Sequence, residues 1–329
     1  MLKFWALEKS EKMLVPVLLF CLGLVLLIKG GDYFVDGAVG IAHRFHLPEI
    51  LIGATIVSIG TTLPEVMVSA TSALSGHGEI AYGNAIGSII CNTSLIAAVS
   101  IAIAPCSVNR SSLKTPVIFF FIAAFFYMIN AYVFGSFSRI SGIILLLMFV
   151  IYTILTVKQM SDEEQEEVSE GNNVLYKNIF VLILGAVLIA IGSNLLIDNG
   201  TLIAEALGVS ESVIALTFIA LGTSLPELVT AVTSLIKGHG SLSLGNIIGA
   251  NLFNLVLVTG TSASLSPFTL PQGKVLFGMN ASLILELPVM IGVMMLLCIP
   301  VLLRGKLTRV QGVLLLCIYM IFTVSQFII

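Results

Sequence analysis

Charge is what this chain has least of. Only 10% of its 329 residues are Asp, Glu, Lys or Arg, against roughly 25% in a water-soluble domain, and the mean hydropathy is +1.09. That argues against a soluble enzyme. No basic patch is present for a nucleic acid to bind. The five cysteines (Cys21, Cys91, Cys106, Cys298, Cys317) are odd in number, lie mostly in apolar runs and lack Cys-x-x-Cys spacing. They read as small buried hydrophobes, not as a disulfide framework or a zinc site. Catalytic signatures are missing too: there is no intramembrane Asp pair, no His-Glu-x-x-His and no Gly-x-Ser-x-Gly turn.

What is present is apolar sequence in long runs. At about 20 residues per crossing, spans are predicted at 14–36, 48–74, 80–104, 115–134, 139–158, 177–199, 211–236, 242–264, 275–300 and 308–328. The expected fold is an all-α integral membrane protein of ten transmembrane helices. The first span lacks a small-residue cleavage site, so it is expected to be retained. Of the 18 acids, six fall within 162–170, marking 159–176 as a polar linker between two five-helix regions, 1–158 and 177–329. Lys and Arg divide unevenly among the connections. Arg44, Arg110, Lys114, Lys158, Lys177, Lys237, Arg304, Lys306 and Arg309 fall on one side, and only Arg139 and Lys274 on the other. This predicts a multi-pass protein of the plasma (inner) membrane, with a cytoplasmic linker and both termini outside; Lys3, Lys9 and Lys12 oppose that orientation.

The chain also repeats itself. At an offset of 162 residues, Gly60-Thr61-Thr62-Leu63-Pro64-Glu65 falls on Gly222-Thr223-Ser224-Leu225-Pro226-Glu227. In the same ungapped frame Gly76-His77-Gly78 falls on Gly238-His239-Gly240, Gly83-Asn84 on Gly245-Asn246, and Asn92 on Asn254. Between 53–92 and 215–254, 16 of 40 positions are identical, and they include Pro, Glu, Asn and His, which shared apolar composition does not align. Five spans per copy is odd, so the second copy enters the membrane from the opposite side. Inverted repeats of this kind build secondary transporters with a midplane site, although channels can be pseudo-symmetric as well.

Glu65 and Glu227 fall mid-span, where an ionised residue costs roughly 2.5–3.5 kcal/mol on insertion scales. Facing one another, they stay charged only beside cations; otherwise at least one holds a proton. Pro64 and Pro226 each remove a backbone donor, which predicts a kink or partial unwinding that frees carbonyls. Thr61, Thr62, Thr223 and Ser224 share the Glu face of their helices. Asn84 and Asn92, like Asn246 and Asn254, share a face with Ser88 and Ala250 between them. A donor set of carboxylates, amides, hydroxyls and carbonyls, without Cys or His, suits Ca2+ or Na+. His77 and His239 read as solvated turn residues, Gly83…Gly87 and Gly245…Gly249 as helix-packing spacings, and Lys29, Asp32 and Asp36 as an interfacial charge cluster.

At these two blocks the chain resembles the cation/calcium antiporter superfamily, in particular its sodium/calcium exchanger-like members. The resemblance implies two inverted five-helix repeats around four central ion sites, with Ca2+ extrusion coupled to Na+ entry and the two outermost helices sliding over the core. It implies as ligands Thr61, Thr62, Glu65, Ser88 and Asn92 from the first repeat. From the second it implies the Ala220 carbonyl, Thr223, Ser224, Glu227 and Asn254. Ala250 stands where Ser88 has its counterpart, Ser58 where an Ala carbonyl often ligates, and Asn254 where some members carry Asp. These departures bear on the sodium count and leave the paired Glu untouched. Ca2+ and Na+ are then cargo, no resident cofactor is expected, and the one partner implied is the lipid bilayer. Ca2+/H+ antiport and a passive cation channel remain the alternatives; an enzyme is not expected.

Overall fold

The computed structural model describes residues 2–105, 107–163, 172–206, 222, 224–273 and 275–328; for 2–12, 161–163, 172–173, 204–205 and 327–328 only the backbone is described. Ten helices follow one another: α1 (Leu2–Arg44), α2 (Glu49–Leu74), α3 (Gly78–Ile103), α4 (Arg110–Phe134), α5 (Arg139–Glu163), α6 (Asn172–Ala206), α7 (Leu225–Ile236), α8 (Gly240–Leu265), α9 (Ser282–Arg304) and α10 (Arg309–Ile328). Among the described residues nine are long and apolar enough to cross a membrane, and α7 is a shorter apolar helix. Two-residue strands β1 (Ser136–Phe137) and β2 (Phe268–Thr269) pair antiparallel, as do β3 (Val275–Leu276) and β4 (Met279–Asn280).

Side-chain distribution is that of a protein dissolved in lipid. Ile28, Phe125, Ile140, Leu147, Ile154 and Ile321 face outward, while Glu65, Glu227, Asn92, Asn246, Asn251 and Asn254 are buried. Lipid tails are as apolar as Leu, so helices here associate through close packing of small residues. The α1–α6 pair shows how. Gly23 lies against Gly192, and Gly30 against Gly185. Because Gly192 is the repeat counterpart of Gly30, and Gly185 of Gly23, the two contacts are one contact related by a two-fold axis. The helices run antiparallel, which is the inversion expected from the odd number of spans.

The last helix of each half is exchanged. Gly142 of α5 packs on Gly260 and Ser264 of α8, while Gly312 of α10 packs on Ala98 and Ala102 of α3. Ala98 and Ala102 are the 162-residue counterparts of Gly260 and Ser264, so α3 and α8 use equivalent sites, although Gly142 and Gly312 stand 170 residues apart. The centre of the molecule is α2, α3, α7 and α8, of which α8 is the most enclosed. Gly245 and Gly249 of α8 press against the backbone of Ile50 and Ala54 of α2, the packing role their spacing suggested. Counterparts at Gly83 and Gly87 meet no described atom, and the residues that symmetry sets opposite them lie outside the described set.

Both Gly-His-Gly motifs are helix terminators. After α2, Gly76 (φ 82°) donates to the Ala73 carbonyl and His77 to that of Ser72; after α7, Gly238 (φ 84°) donates to Leu235 and His239 to Ser234. This left-handed cap is what glycine adopts without penalty. His77 is exposed as expected. His239 is not simply solvated: its Nδ1 lies 2.8 Å from Glu49 Oε1, because the α7–α8 turn closes onto the start of α2. Lys237 beside it reaches Asp36 at 2.7 Å and Asp32 at 3.5 Å. Lys29, Asp32 and Asp36 are therefore part of a contact between halves and not only an interfacial cluster. With the Ser107–Lys306 bridge, these contacts gather the Lys- and Arg-rich turns on one face. The turns at 75–77, 135–138 and 266–269 gather on the other, around a cavity of about 580 Å3.

Several boundaries differ from expectation. α5 continues to Glu163 and α6 begins at Asn172, so helix enters both ends of the acidic segment 159–176. The span expected at 275–300 starts as a hairpin: Phe277 and Gly278 both have positive φ, the geometry of a two-residue turn, and helix begins only at Ser282. The span expected at 211–236 is described only from Gly222 onward. Cys91 and Cys298 are buried, Cys21 and Cys317 face outward, and all four are free; outward faces meet apolar lipid, which tolerates a thiol. Cys106 lies outside the described residues.

Candidate functional site

Glu65 on α2 and Glu227 on α7 are each 0% exposed. They lie close enough to act on each other electrostatically. None of their four carboxylate oxygens has a hydrogen-bond partner among the described residues. Among the described residues no ion pair reaches them; those present join Lys29, Asp32 and Asp36 of α1, Lys237, and the His43, His239 and Glu49 side chains. Desolvating a carboxylate costs several kcal/mol even after relaxation. Two such groups in a bare pocket therefore need a cation or a proton.

Neutral oxygens surround the pair. The Thr61 and Thr62 hydroxyls of the first repeat approach the Glu227 carboxylate of the second. Thr62 Oγ1, Ser224 Oγ, Thr230 Oγ1, both polar atoms of Asn92 and Asn254 Oδ1 are buried without partners. Asn254 spends its amide on the Ala250 carbonyl at 3.0 Å, which leaves its oxygen free to coordinate. Ser88 is buried on α3, four residues before Asn92. Eight of the ten ligand candidates are buried on or beside α2, α3, α7 and α8: Thr61, Thr62, Glu65, Ser88, Asn92, Ser224, Glu227 and Asn254. Ala220 and Thr223 lie outside the described residues. Among the described residues no three of His, Cys, Asp and Glu cluster as a metal site, so two carboxylates and uncharged oxygens are the donor set, a hard one suited to Ca2+ or Na+.

Three of the five π-helical turns among the described residues involve these central helices; the others are Asn130–Phe134 and Ser282–Glu286. Wide π-helical turns span Gly53–Val57, Asn92–Ala97 and Asn254–Val258, so Asn92 and Asn254 each open one. π turns inside helices recur at functional sites. Two of the three close the same way: Ser58 Oγ donates back to Gly53 O at 2.7 Å, and Thr259 Oγ1 to Asn254 O at 3.1 Å. At the prolines the expectation holds unequally. α7 begins at Leu225 with Pro226 in its first turn and Ser224 outside the helix. In the first repeat the helix runs unbroken through Pro64 from Ser58 to Leu74, because Gly60 only forgoes one donor there and the irregularity sits one turn upstream.

Other participants carry no motif. Asn246 accepts from Thr61 Oγ1 at 3.1 Å and from Ser58 Oγ at 3.3 Å, joining the halves beside the carboxylates. Tyr152 of α5 donates to the Ala54 carbonyl inside the first wide turn at 2.8 Å. Asn251 donates to Thr93 Oγ1 at 2.7 Å and to Met294 Sδ at 3.2 Å. Asn246 was visible through its repeat mate Asn84. Tyr152 and Asn251 have no such mate to draw attention to them.

With this geometry in place, similarity to known proteins becomes decisive. A family profile described as sodium/calcium exchanger protein matches residues 15–158 and 177–328. The chain belongs to that family. Sodium/calcium exchanger MaX1 of Methanosarcina acetivorans is 33% identical over 95% of this chain and 99% of its own length. Uncharacterized membrane protein MJ0091 of Methanocaldococcus jannaschii is 35% identical over 92% of this chain and 95% of its own. Among solved structures, the sodium-calcium exchanger NCX_Mj soaked with Na+ and Sr2+ superposes with a TM-score of 0.81 at 32% identity, covering 95% of this chain and 99% of that one. As a family member the chain is a multi-pass integral membrane protein of two inverted five-helix repeats. The family is one of transporters, not of enzymes.

Proposed function

We propose that the protein exchanges Ca2+ for Na+ across the membrane by alternating access, with Thr61, Thr62, Glu65, Ser88, Asn92, Ala220, Thr223, Ser224, Glu227 and Asn254 as the ion ligands. One observation carries this reading: two buried carboxylates from inverted halves, without a cationic partner among the described residues, on helices that also bury unpartnered neutral oxygens. Solved NCX_Mj structures were soaked with Na+, Ca2+ or Sr2+, and MaX1 is named for the same exchange.

Charge arithmetic gives the coupling. Two carboxylates are neutralised by one Ca2+ or by two Na+, so the ions compete for one pocket and not for two. A third Na+ leaves the loaded site with one net positive charge, whose movement couples to the membrane potential at about 2.3 kcal/mol per 100 mV. An empty, doubly ionised pocket resists enclosure, which suppresses leak. The α1–α6 layer, held to the core at the Lys237–Asp36 pair and to itself by glycine contacts, is suited to sliding over α2, α3, α7 and α8. The acidic segment 159–176 then links the repeats 1–158 and 177–329. The Lys-rich face is cytoplasmic by the positive-inside rule, which sets both termini outside in the plasma (inner) membrane.

The test is 45Ca uptake into proteoliposomes loaded with Na+, K+ or protons in separate arms. Uptake that requires an outward Na+ gradient is expected. Uptake driven by a pH gradient without Na+ would assign Ca2+/H+ antiport instead, and uptake needing no counter-ion would make the protein a channel.

A further inference from the structure

Another acidic residue stands within a membrane-spanning helix. Glu286 closes the wide turn Ser282–Glu286 that opens α9, on the Lys-poor face beside the β3–β4 hairpin. It is only partly buried, and no ion pair among the described residues involves it. An acidic side chain at a helix end is by itself an ordinary interfacial residue. The surroundings of this one are not ordinary. Ser282, 3% exposed, donates to Glu286 Oε2 at 2.9 Å. Tyr82, 0% exposed on α3, lies close enough to Ser282 and Glu286 for both to act on its hydroxyl, which makes no hydrogen bond of its own among the described residues. Tyr132 donates to the Leu283 carbonyl of the same wide turn. A carboxylate, a serine hydroxyl and an unpartnered buried phenol thus converge at the outer end of α3, α4 and α9.

The polar line continues inward. The Tyr82 and Tyr127 rings lie 6.4 Å apart. The Tyr127 hydroxyl, also buried without a partner, faces Thr259, and Thr259 bonds to the Asn254 carbonyl at 3.1 Å. Asn254 is eleven residues from the end of α8, about 16 Å deep at 1.5 Å per residue. Tyr82 is four residues into α3, about 6 Å deep by the same rise. Hydroxyls are therefore spaced between the membrane edge and the central ligand Asn254 through an otherwise apolar layer.

We propose that Glu286, Ser282 and Tyr82 form a second cation-binding site for a monovalent ion, Na+, on the Lys-poor face, and that Tyr82 and Tyr127 line its route to Asn254. One carboxylate and neutral oxygens leave Na+ electrically balanced, whereas Ca2+ there would keep a net positive charge in a partly dehydrated place. Central exchange, on which the sidedness of this site rests, uses the other two carboxylates.

Equilibrium 22Na+ binding to purified protein separates the two readings. In a Glu65→Gln/Glu227→Gln background, one Na+ per chain is expected to remain bound, and adding Glu286→Gln is expected to abolish it. Absence of Na+ binding in the double variant overturns the second site whatever the fate of exchange. Should the triple variant not fold, Ser282→Ala and Tyr82→Phe in the same background supply the comparison, each weakening binding. In sealed vesicles of each orientation, Glu286→Gln alone is expected to raise the half-saturating Na+ about tenfold from the Lys-poor face and to leave the opposite face unchanged. The exposed neighbour Glu79→Gln changes neither. An equal shift on both faces, or none, refutes the proposal.

Discussion

Thr61 Oγ1 and Asn246 Oδ1 are 3.1 Å apart, a hydrogen bond between the two halves of the molecule immediately beside the buried carboxylates. The hydroxyl donates to the amide oxygen, which leaves the Thr61 lone pairs for a cation held by Glu227. Asn246 therefore orients a proposed ligand. An Asn246→Ala variant forfeits the hydrogen bonds from Thr61 and Ser58 to that amide oxygen, of which the Thr61 bond is worth about 1 kcal/mol. Its half-saturating Ca2+ concentration is expected to rise about fivefold with maximal flux largely kept. A variant with unaltered Ca2+ dependence would remove the orienting role.

Neutralising either carboxylate separates ion binding from folding. With no metal bound, Glu65→Gln and Glu227→Gln relieve a buried repulsion, so thermal stability is expected to hold or rise. Added Ca2+ stabilises the native protein by about 2.7 kcal/mol at a hundredfold excess over its dissociation constant, and each variant is expected to lose that increment. Melting curves in detergent with and without Ca2+ decide it: a variant that retains the full Ca2+-induced shift contradicts the assigned ligands.

Packing between α2 and α8 tolerates no side chain at Gly245, where a Cβ would collide with the Ile50 carbonyl. Backbone cannot rotate away as a side-chain tip can. Gly245→Val is expected to cost at least the 1–3 kcal/mol typical of overpacking, so roughly that range or more, and to lower the yield of monodisperse protein. Gly273→Val, at a site open to solvent, is the control and should express normally. Equal expression of both would falsify the close-approach reading.

Tyr152 supports the first wide turn by donating to the Ala54 carbonyl. Tyr152→Phe leaves that carbonyl without its donor, at a cost of about 1–3 kcal/mol. Because Ala54 is four residues before Ser58, both stability and Ca2+ affinity are expected to fall, measured by melting and by 45Ca uptake. Lower stability with unchanged affinity would confine Tyr152 to a scaffolding role.

Sequence disclosed the parts of this molecule that depend on composition and on repetition. Ten apolar runs and the offset of 162 residues sufficed for the spans, and the mirrored Glu65 and Glu227 marked the centre. What stayed hidden depends on the hydrogen-bond ladder and on pairings between distant elements. The wide turns at Gly53, Asn92 and Asn254 insert a residue without altering hydropathy. The hairpin at Phe277–Gly278 is as apolar as the helix expected there. Tyr152, Asn251 and Glu286 act through partners remote in the chain, and none of them recurs in the other repeat. His239 looked like its counterpart His77, yet of the two only His239 has an acidic side chain against it among the described residues, and Glu211, the repeat mate of Glu49, lies outside them.

The exchanged helices α5 and α10 have a consequence for how the protein can be cut. Each half lends its final helix to the other and receives one back, so a fragment ending near residue 163 would leave its own α3 uncovered and carry an α5 with nothing to embrace. Such a piece has no closed form alone. Supplied together, fragments 1–163 and 172–329 retain every glycine seam described here, and co-expression should rebuild a working transporter that neither piece yields separately. Association of two identical halves across the same seams would be the simplest ancestor of this chain.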